Sequence, residues 1–261
     1  MSLPELLLAE DGSHYIYDGK PMERVTQIIH KAMPPYLAPW AEGVGQKAMW
    51  TIMSANPEYD LGMAKRAIGD AGLTCENEKT KGADRGQALH QAIEAMIETE
   101  EPTVDLNDFD DPEHAKYAQS FAAFMVDYRP AFEKAEIRVC HPDLGYAGTF
   151  DAIAVCRARP KGARGTDLTG KRIILDWKTN VGKKVYESHL YQLAAYELGM
   201  QYWEEPVQGS AVVAIGPMGD VKGKPYSFKP NHVEPEAFRA MVRWCRVVED
   251  QKKRNPLARK K

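Results

Sequence analysis

The segment KRIILDWKT, residues 171–179, constrains this chain more than any other. Its apolar run is that of a strand buried in a sheet, yet it carries an aspartate and a lysine two residues apart. Side chains alternate across a strand, so Asp176 and Lys178 face one side and Trp177 faces the other. IILDW is too apolar on both faces for an ordinary exposed edge strand. A carboxylate and an ammonium held in such a place are expected to do chemistry.

The surrounding order supports a sheet. AEIRVCH alternates as a strand, GYAGTFDAIAVC follows as a second, and KGARGTDLTGK makes a Gly- and Lys/Arg-rich connection to the third, KRIILDWKT. A helix is expected from about Lys184 to Met200, then strands in QGSAVVAIGP and KPYSFKP, then a closing helix in EPEAFRAMVRWCRVVEDQ. Upstream, HYIYDGK reads as a small strand and VTQIIHKAM as a helix stopped by MPP. Residues 37–71 read as two or three short helices broken by Gly and Pro. ENEKTKGADRG reads as a polar loop, and GADRGQALHQAIEAMIE as the first clearly periodic helix. An acidic, turn-rich connection, EEPTVDLNDFDDPEH, leads to a helix over Pro112 to Tyr128. The expectation is an α/β fold: a central mixed β-sheet flanked by helices, plus an N-terminal helical lobe. The expected bounds are 1–80 for the lobe, 81–250 for the core and 251–261 for a basic C-terminal tail.

Composition narrows the class of function. Hydrophobic residues are 44% and charged residues 27%, ordinary for a chain with a real core. A net charge of -3 and a pI near 6.2 argue against indiscriminate coating of nucleic acid, and leave room for a local basic groove. Cys75, Cys140, Cys156 and Cys245 are widely spaced with no CxxC pair, so a zinc or iron–sulfur site is not expected. No apolar stretch is long enough to span a membrane. A reducing, cytoplasmic setting is expected.

Three polar islands interrupt apolar text: Asp151 in GTFDAIAV, Asp176 with Lys178, and His90 on the helical stripe. Two carboxylates on adjacent strands with an imidazole make a donor set suited to Mg2+ or Mn2+. A metal of that kind polarises a phosphoryl oxygen and activates water, and a lysine beside it orients the water or offsets developing charge. Each residue also admits a plainer role. Asp151 could be a turn residue bonded to backbone, Asp176 and Lys178 a solvated edge pair, and His90 a satisfied core histidine.

Together, GTFD, ILDWKT and QLAAY resemble the active-site text of the PD-(D/E)XK nuclease superfamily, most closely its RecB-like, phage-type exonuclease branch. The resemblance spans about Gly82 to Tyr196 and implies a restriction-endonuclease-like core. It implies that Asp151, Asp176, Lys178, Gln192 and Tyr196 are catalytic. It implies a metal held by His90, Asp151, Asp176 and the backbone carbonyl of Trp177. Glu94 and Glu136 are candidates for a supporting role around that metal; Glu136 could also help a second one, contact the histidine, or simply cap the sheet against Lys134 or Arg138. The second acid is Asp where many relatives carry Glu, which shortens the ligating arm. The four-cysteine iron–sulfur cluster of some relatives has no counterpart in these spacings.

The implied activity is a metal-dependent DNA exonuclease in recombination, repair or phage DNA processing. A structure-specific endonuclease and a non-catalytic DNA-binding module are the alternatives. The implied partners are DNA and a recombination or single-strand-annealing protein, in a bacterial or phage-infected cytoplasm. Basic residues able to meet DNA phosphates are Arg85, Lys183 and Lys184, with Lys81, Lys161, Arg164, Lys171 and Arg172 as further candidates. Lys161 and Arg164 read equally well as a solvated hairpin.

Overall fold

The structure, a computed structural model, describes residues 3–34, 38–99, 109–180, 182–219 and 223–254, with the backbone alone for 38–40. The chain forms two compact units, residues 1–34 with 91–261, and residues 35–90.

The first unit is built on one mixed sheet of eight described strands. They are β1 (Leu7–Leu8), β2 (Tyr15–Tyr17), β3 (Lys20–Arg24), β4 (Pro130–His141), β5 (Tyr146–Cys156), β6 (Arg172–Thr179), β7 (Ser210–Ile215) and β8 (Tyr226–Pro230). The α-helices among the described residues are α1 (Val25–Ala32), α2 (Ala38–Ala55), α3 (Leu61–Asp70), α4 (Cys75–Thr99), α5 (Pro112–Tyr128), α6 (Glu187–Tyr202) and α7 (Pro235–Arg254). Strand order is β1-β2-β3-β5-β6-β7-β8, with β4 also paired to β5. β4, β5 and β6 pair antiparallel, while β6 and β7 run parallel. Parallel neighbours need a crossover, which α6 supplies. Strand β6 therefore lies between β5 and β7, inside the sheet, and Asp176 and Lys178 are not an edge pair.

The two faces of the sheet are covered differently. Toward α1, α6 and α7 lies an aliphatic core that includes Ile137, Val139, Ile174, Leu193, Val212, Phe238 and Val242. Toward α5 lies an aromatic layer. Phe121 meets the Trp177 ring edge-on at 5.4 Å, and Phe124 packs on Tyr128, Tyr226 and Phe228. Helix α5 has the bounds its sequence predicts. Asp111 accepts the Glu113 N–H at 2.9 Å, Pro112 opens the first turn, and Arg129 closes the last in the left-handed region at φ 46°.

The unit bounds differ from those the sequence suggests. Residues 1–34 belong with the sheet, because β3 pairs parallel with β5 through Glu23↔Tyr146 and Arg24↔Ala147. Strands of two to five residues are too short to show alternation, so this extension has no clear sequence signal. ENEKTKGADRG is helix and not loop, forming the start of α4. Its Glu and Lys residues favour helix, Glu76 and Glu78 suit the first turn, and Thr74 Oγ1 accepts the Asn77 N–H at 3.3 Å. Residues 251–254 finish α7, and the rest of the expected basic tail lies outside the described residues, as does most of the acidic connection before α5. No described helix is long and apolar enough to cross a membrane.

The second unit holds α2, α3 and α4 as far as His90. Helix α2 runs unbroken through Gly43 and Gly45, where the sequence suggests interruption. Asp60 caps α3 by accepting the Met63 N–H at 2.8 Å. Trp50 is 76% exposed on this unit.

Candidate active site

The site arises where the β5–β6 ladder stops. The last pair at that end is Ala152↔Leu175, so the next residues to meet would be Asp151 and Asp176. They are not a ladder pair. Instead Asp151 Oδ2 accepts the Trp177 backbone N–H at 2.6 Å, so a side chain ties the strands together where backbone pairing ends. Both carboxylates are withdrawn from water, Asp151 at 7% and Asp176 at 1% exposure. Burial of like charges this close demands compensation.

Lys178 gives part of it. Its ammonium lies 2.5 Å from Asp176 Oδ2. Burial alone would push this lysine down. The charges of Asp176 and Asp151, with the hydrogen bond to Asp176, outweigh burial and hold its pKa above the ordinary lysine value. Trp177, between them in sequence, packs on Phe121 as strand alternation requires.

Glu136 enters from β4. The pairs Ala135↔Ala152 and Ile137↔Phe150 bracket it, which sets Glu136 opposite Asp151. Carboxylate oxygens of the two lie within 4.8 Å of one another. Glu136 also has φ 50°, a left-handed conformation that non-glycine residues rarely hold in a strand. Backbone strain of this kind concentrates at functional sites. Glu136 and Asp151 thus approach one another across β4 and β5, with Asp176 on the next strand, β6.

Helix α6 brings Gln192 and Tyr196 to the same place, four residues apart on one helix face. Gln192 Nε2 donates to the Tyr196 hydroxyl at 2.7 Å. Tyr196 is 2% exposed, and its phenol is held well above its usual range by burial and by the nearby charges of Asp176 and Asp151. Its ring lies 5.4 Å from that of Phe150. Gly148 makes this close approach possible, since a Cβ there would stand 2.7 Å from Tyr196 Cε1. The glycine of GTFD therefore clears space for the tyrosine of QLAAY.

The other expected residues are placed as follows. His90 is the last residue of the second unit, partly buried on α4, and Glu94 is partly buried one turn later. Arg85 is also on α4, in the second unit. Lys183 donates to the Lys224 carbonyl at 2.6 Å, so its ammonium is engaged within the protein. Lys184 is exposed, and its N–H donates to Asn180 Oδ1 at 2.7 Å. Arg172 pairs with Glu133 at 2.8 Å and Glu205 at 3.7 Å, which makes it a structural cation in the first instance.

His189 escaped the sequence reading. With Thr26, Ile29, His30, Lys178, Ser188 and Gln192 it lines an open cleft of about 280 Å³ beside the carboxylates. Burial and the charge of Lys178 push its pKa down to about 4, against a smaller upward pull from Asp176, so the ring is neutral at neutral pH. The spacing of His189, Gln192 and Tyr196 puts all three along one side of α6, a signal legible in ESHLYQLAAY. No known protein-family model matches the chain, and a search of curated proteins finds no match.

Proposed function

We propose that this protein is a divalent-metal-dependent deoxyribonuclease that hydrolyses phosphodiester bonds from DNA ends. The observation that carries the proposal is the meeting of Asp151 and Asp176 at the open end of the β5–β6 ladder, with Lys178 2.5 Å from one of them. The resemblance of the same residues to the RecB-like exonuclease branch gives the chemistry its direction.

The donor set fits the ion. Mg2+ and Mn2+ favour carboxylate oxygens; Asp151 and Glu136 present theirs within 4.8 Å of one another, and Asp176 adds its own from the neighbouring strand. Asp151 and Asp176 would hold the metal, joined by the Trp177 carbonyl and His90 on the strength of the resemblance, with Glu136 beside Asp151. When bound, such an ion polarises the phosphoryl oxygen and lowers the pKa of water.

The protein's own groups divide the remaining work. Lys178, paired with Asp176 at the mouth of the site, would donate hydrogen bonds to a phosphoryl oxygen or to the attacking water. Tyr196 keeps its proton because burial, then the charge of Asp176, disfavours the phenolate, so its hydroxyl is a donor, and Gln192 fixes its orientation. Work in recombination, repair or phage DNA processing, in the cytoplasm and beside a single-strand-annealing protein, follows from the branch resembled.

Linear, nicked and closed circular DNA, single- and double-stranded, incubated with Mg2+ or Mn2+ beside an Asp176→Ala protein, test this reading. Digestion of linear forms alone is the expected result. Cutting of closed circles would replace it with an endonuclease of the same chemistry. Absence of metal-dependent cleavage of any nucleic acid would remove the nuclease reading.

A further inference from the structure

His189 opens α6 in a constrained pose. Its Nδ1 accepts the Tyr186 backbone N–H at 3.4 Å, the reach of an N3 side chain back to its helix cap. Its ring also stands edge-on to that of Tyr186, with centroids 5.4 Å apart. A neutral imidazole carries one hydrogen, and with Nδ1 accepting, that hydrogen is on Nε2. The cap therefore fixes both the tautomer and the rotation of the ring.

The cleft that His189 lines is walled by donors, with the Asp176 carboxylate behind Lys178. Thr26 and Ser188 bring hydroxyls, Gln192 an amide, His30 a second imidazole and Lys178 an ammonium. Its walls come from α1, β6 and α6, all within the first unit. N–H and O–H donors around one ammonium suit a phosphate: the ammonium meets the charge and the other donors meet the remaining oxygens. A site with only cations would hold phosphate without orienting it.

We propose that the α1–α6 cleft binds a phosphate group of the DNA strand, and that His189 donates its Nε2 hydrogen to one of that phosphate's oxygens. The identity of the strand as DNA rests on the nuclease reading; the phosphate site does not. His189 is thus a substrate-positioning donor, and its cap to Tyr186 is the device that aims it.

Two variants of the full chain and a direct probe test this. His189→Gln keeps an N–H donor and a side chain able to cap, whereas His189→Phe keeps the ring and loses the donor. On linear DNA with Mg2+, His189→Phe is expected to raise KM about tenfold, the usual loss for a hydrogen bond to a charged group, with kcat changed less. His189→Gln is expected to stay within about threefold of the parent, since it keeps a donor. Inorganic phosphate titrated into histidine-labelled protein without metal is expected to shift the His189 ring resonances. An unchanged KM in His189→Phe, or an equal rise in both variants, would overturn the proposal, as would a phosphate titration that leaves His189 unmoved. If phosphate shifts His189 while the parent protein cleaves no nucleic acid, the cleft stands and the nuclease reading falls.

Discussion

The two faces of β6 differ by one residue step and have opposite characters. Leu175 and Trp177 look toward α5, into a layer of rings where Phe121 and Phe124 are fully buried. Asp176 and Lys178 look toward α6, where the Asp176 carboxylate helps raise the pKa of both Lys178 and Tyr196. The rings supply area removed from water, which stabilises without fixing any proton. The polar face costs desolvation, and places charge where a phosphate could use it. A single strand thus separates stability from chemistry by alternation alone.

This comparison can be broken most sharply at Asp176. Asp176→Asn should cut nuclease turnover by about 10³-fold, the scale of losing a group that acts on transition-state charge. Its thermal unfolding should move far less than its activity. Digestion assays paired with melting curves check this, and parallel losses would show that the two faces are not separable.

The converse change lies across the strand. Phe121→Ala should cost about 3–5 kcal/mol of stability, as large-to-small changes in packed cores do. Activity per folded molecule should persist. Denaturant titration beside cleavage at low temperature would show it, and loss of activity in fully folded protein would mean that the aromatic layer positions β6 for catalysis.

Tyr196→Phe sharpens the boundary. The ring stays against Phe150 and the hydroxyl that accepts from Gln192 is lost. A drop of about fivefold to tenfold in turnover is expected, with about 1 kcal/mol of stability lost from the hydrogen bond. A fully active variant would remove Tyr196 from the chemistry and leave it a packing residue.

The mildest effect is expected far from both faces. His141, at the end of β4, is 4% exposed and stacks beside Tyr202 at 4.5 Å. Burial, then the charge of Arg239, hold its pKa below the ordinary histidine value, against upward pulls from Asp143 and Glu236. The unfolded chain therefore takes up a proton at higher pH than the folded one. The stability His141 contributes is full above about pH 6.5 and is lost as pH falls toward its lowered folded value. Melting curves from pH 7.5 to 5 should decline less steeply for His141→Phe than for the parent. Identical slopes would mean that other groups set the acid sensitivity.

The residues that alternation could reach were the ones legible in the sequence. KRIILDWKT already showed which side Asp176 and Lys178 share, and GTFD already separated Asp151 from the connection that follows it. The order of strands and helices from β4 to β7 could be read the same way, because each of these elements runs six residues or more. β1 to β3 could not, being short pieces whose place is fixed by a parallel pairing far along the chain. Glu136 showed only as a charged residue at a strand start, since its left-handed φ and its position opposite Asp151 come from pairing. A histidine at a helix start such as His189 reads as a surface residue until the cleft beside Lys178 is known. A polar helix such as ENEKTKGADRG has no apolar stripe to announce it.

The open end of the β5–β6 ladder has a consequence for how the chain folds. The two strands are consecutive and joined by residues 157–171, so closing this hairpin requires only a modest loss of chain entropy. Zipping starts most readily at Val155↔Arg172, nearest the connection, and runs toward the aspartates. Apolar pairs form first, Ala154↔Ile173 and Ile153↔Ile174, and the carboxylates are brought together last. Their mutual repulsion therefore opposes a hairpin that is already largely formed and cannot block its nucleation. Within this hairpin the two buried carboxylates thus come together last, after the apolar pairs are in place to hold them.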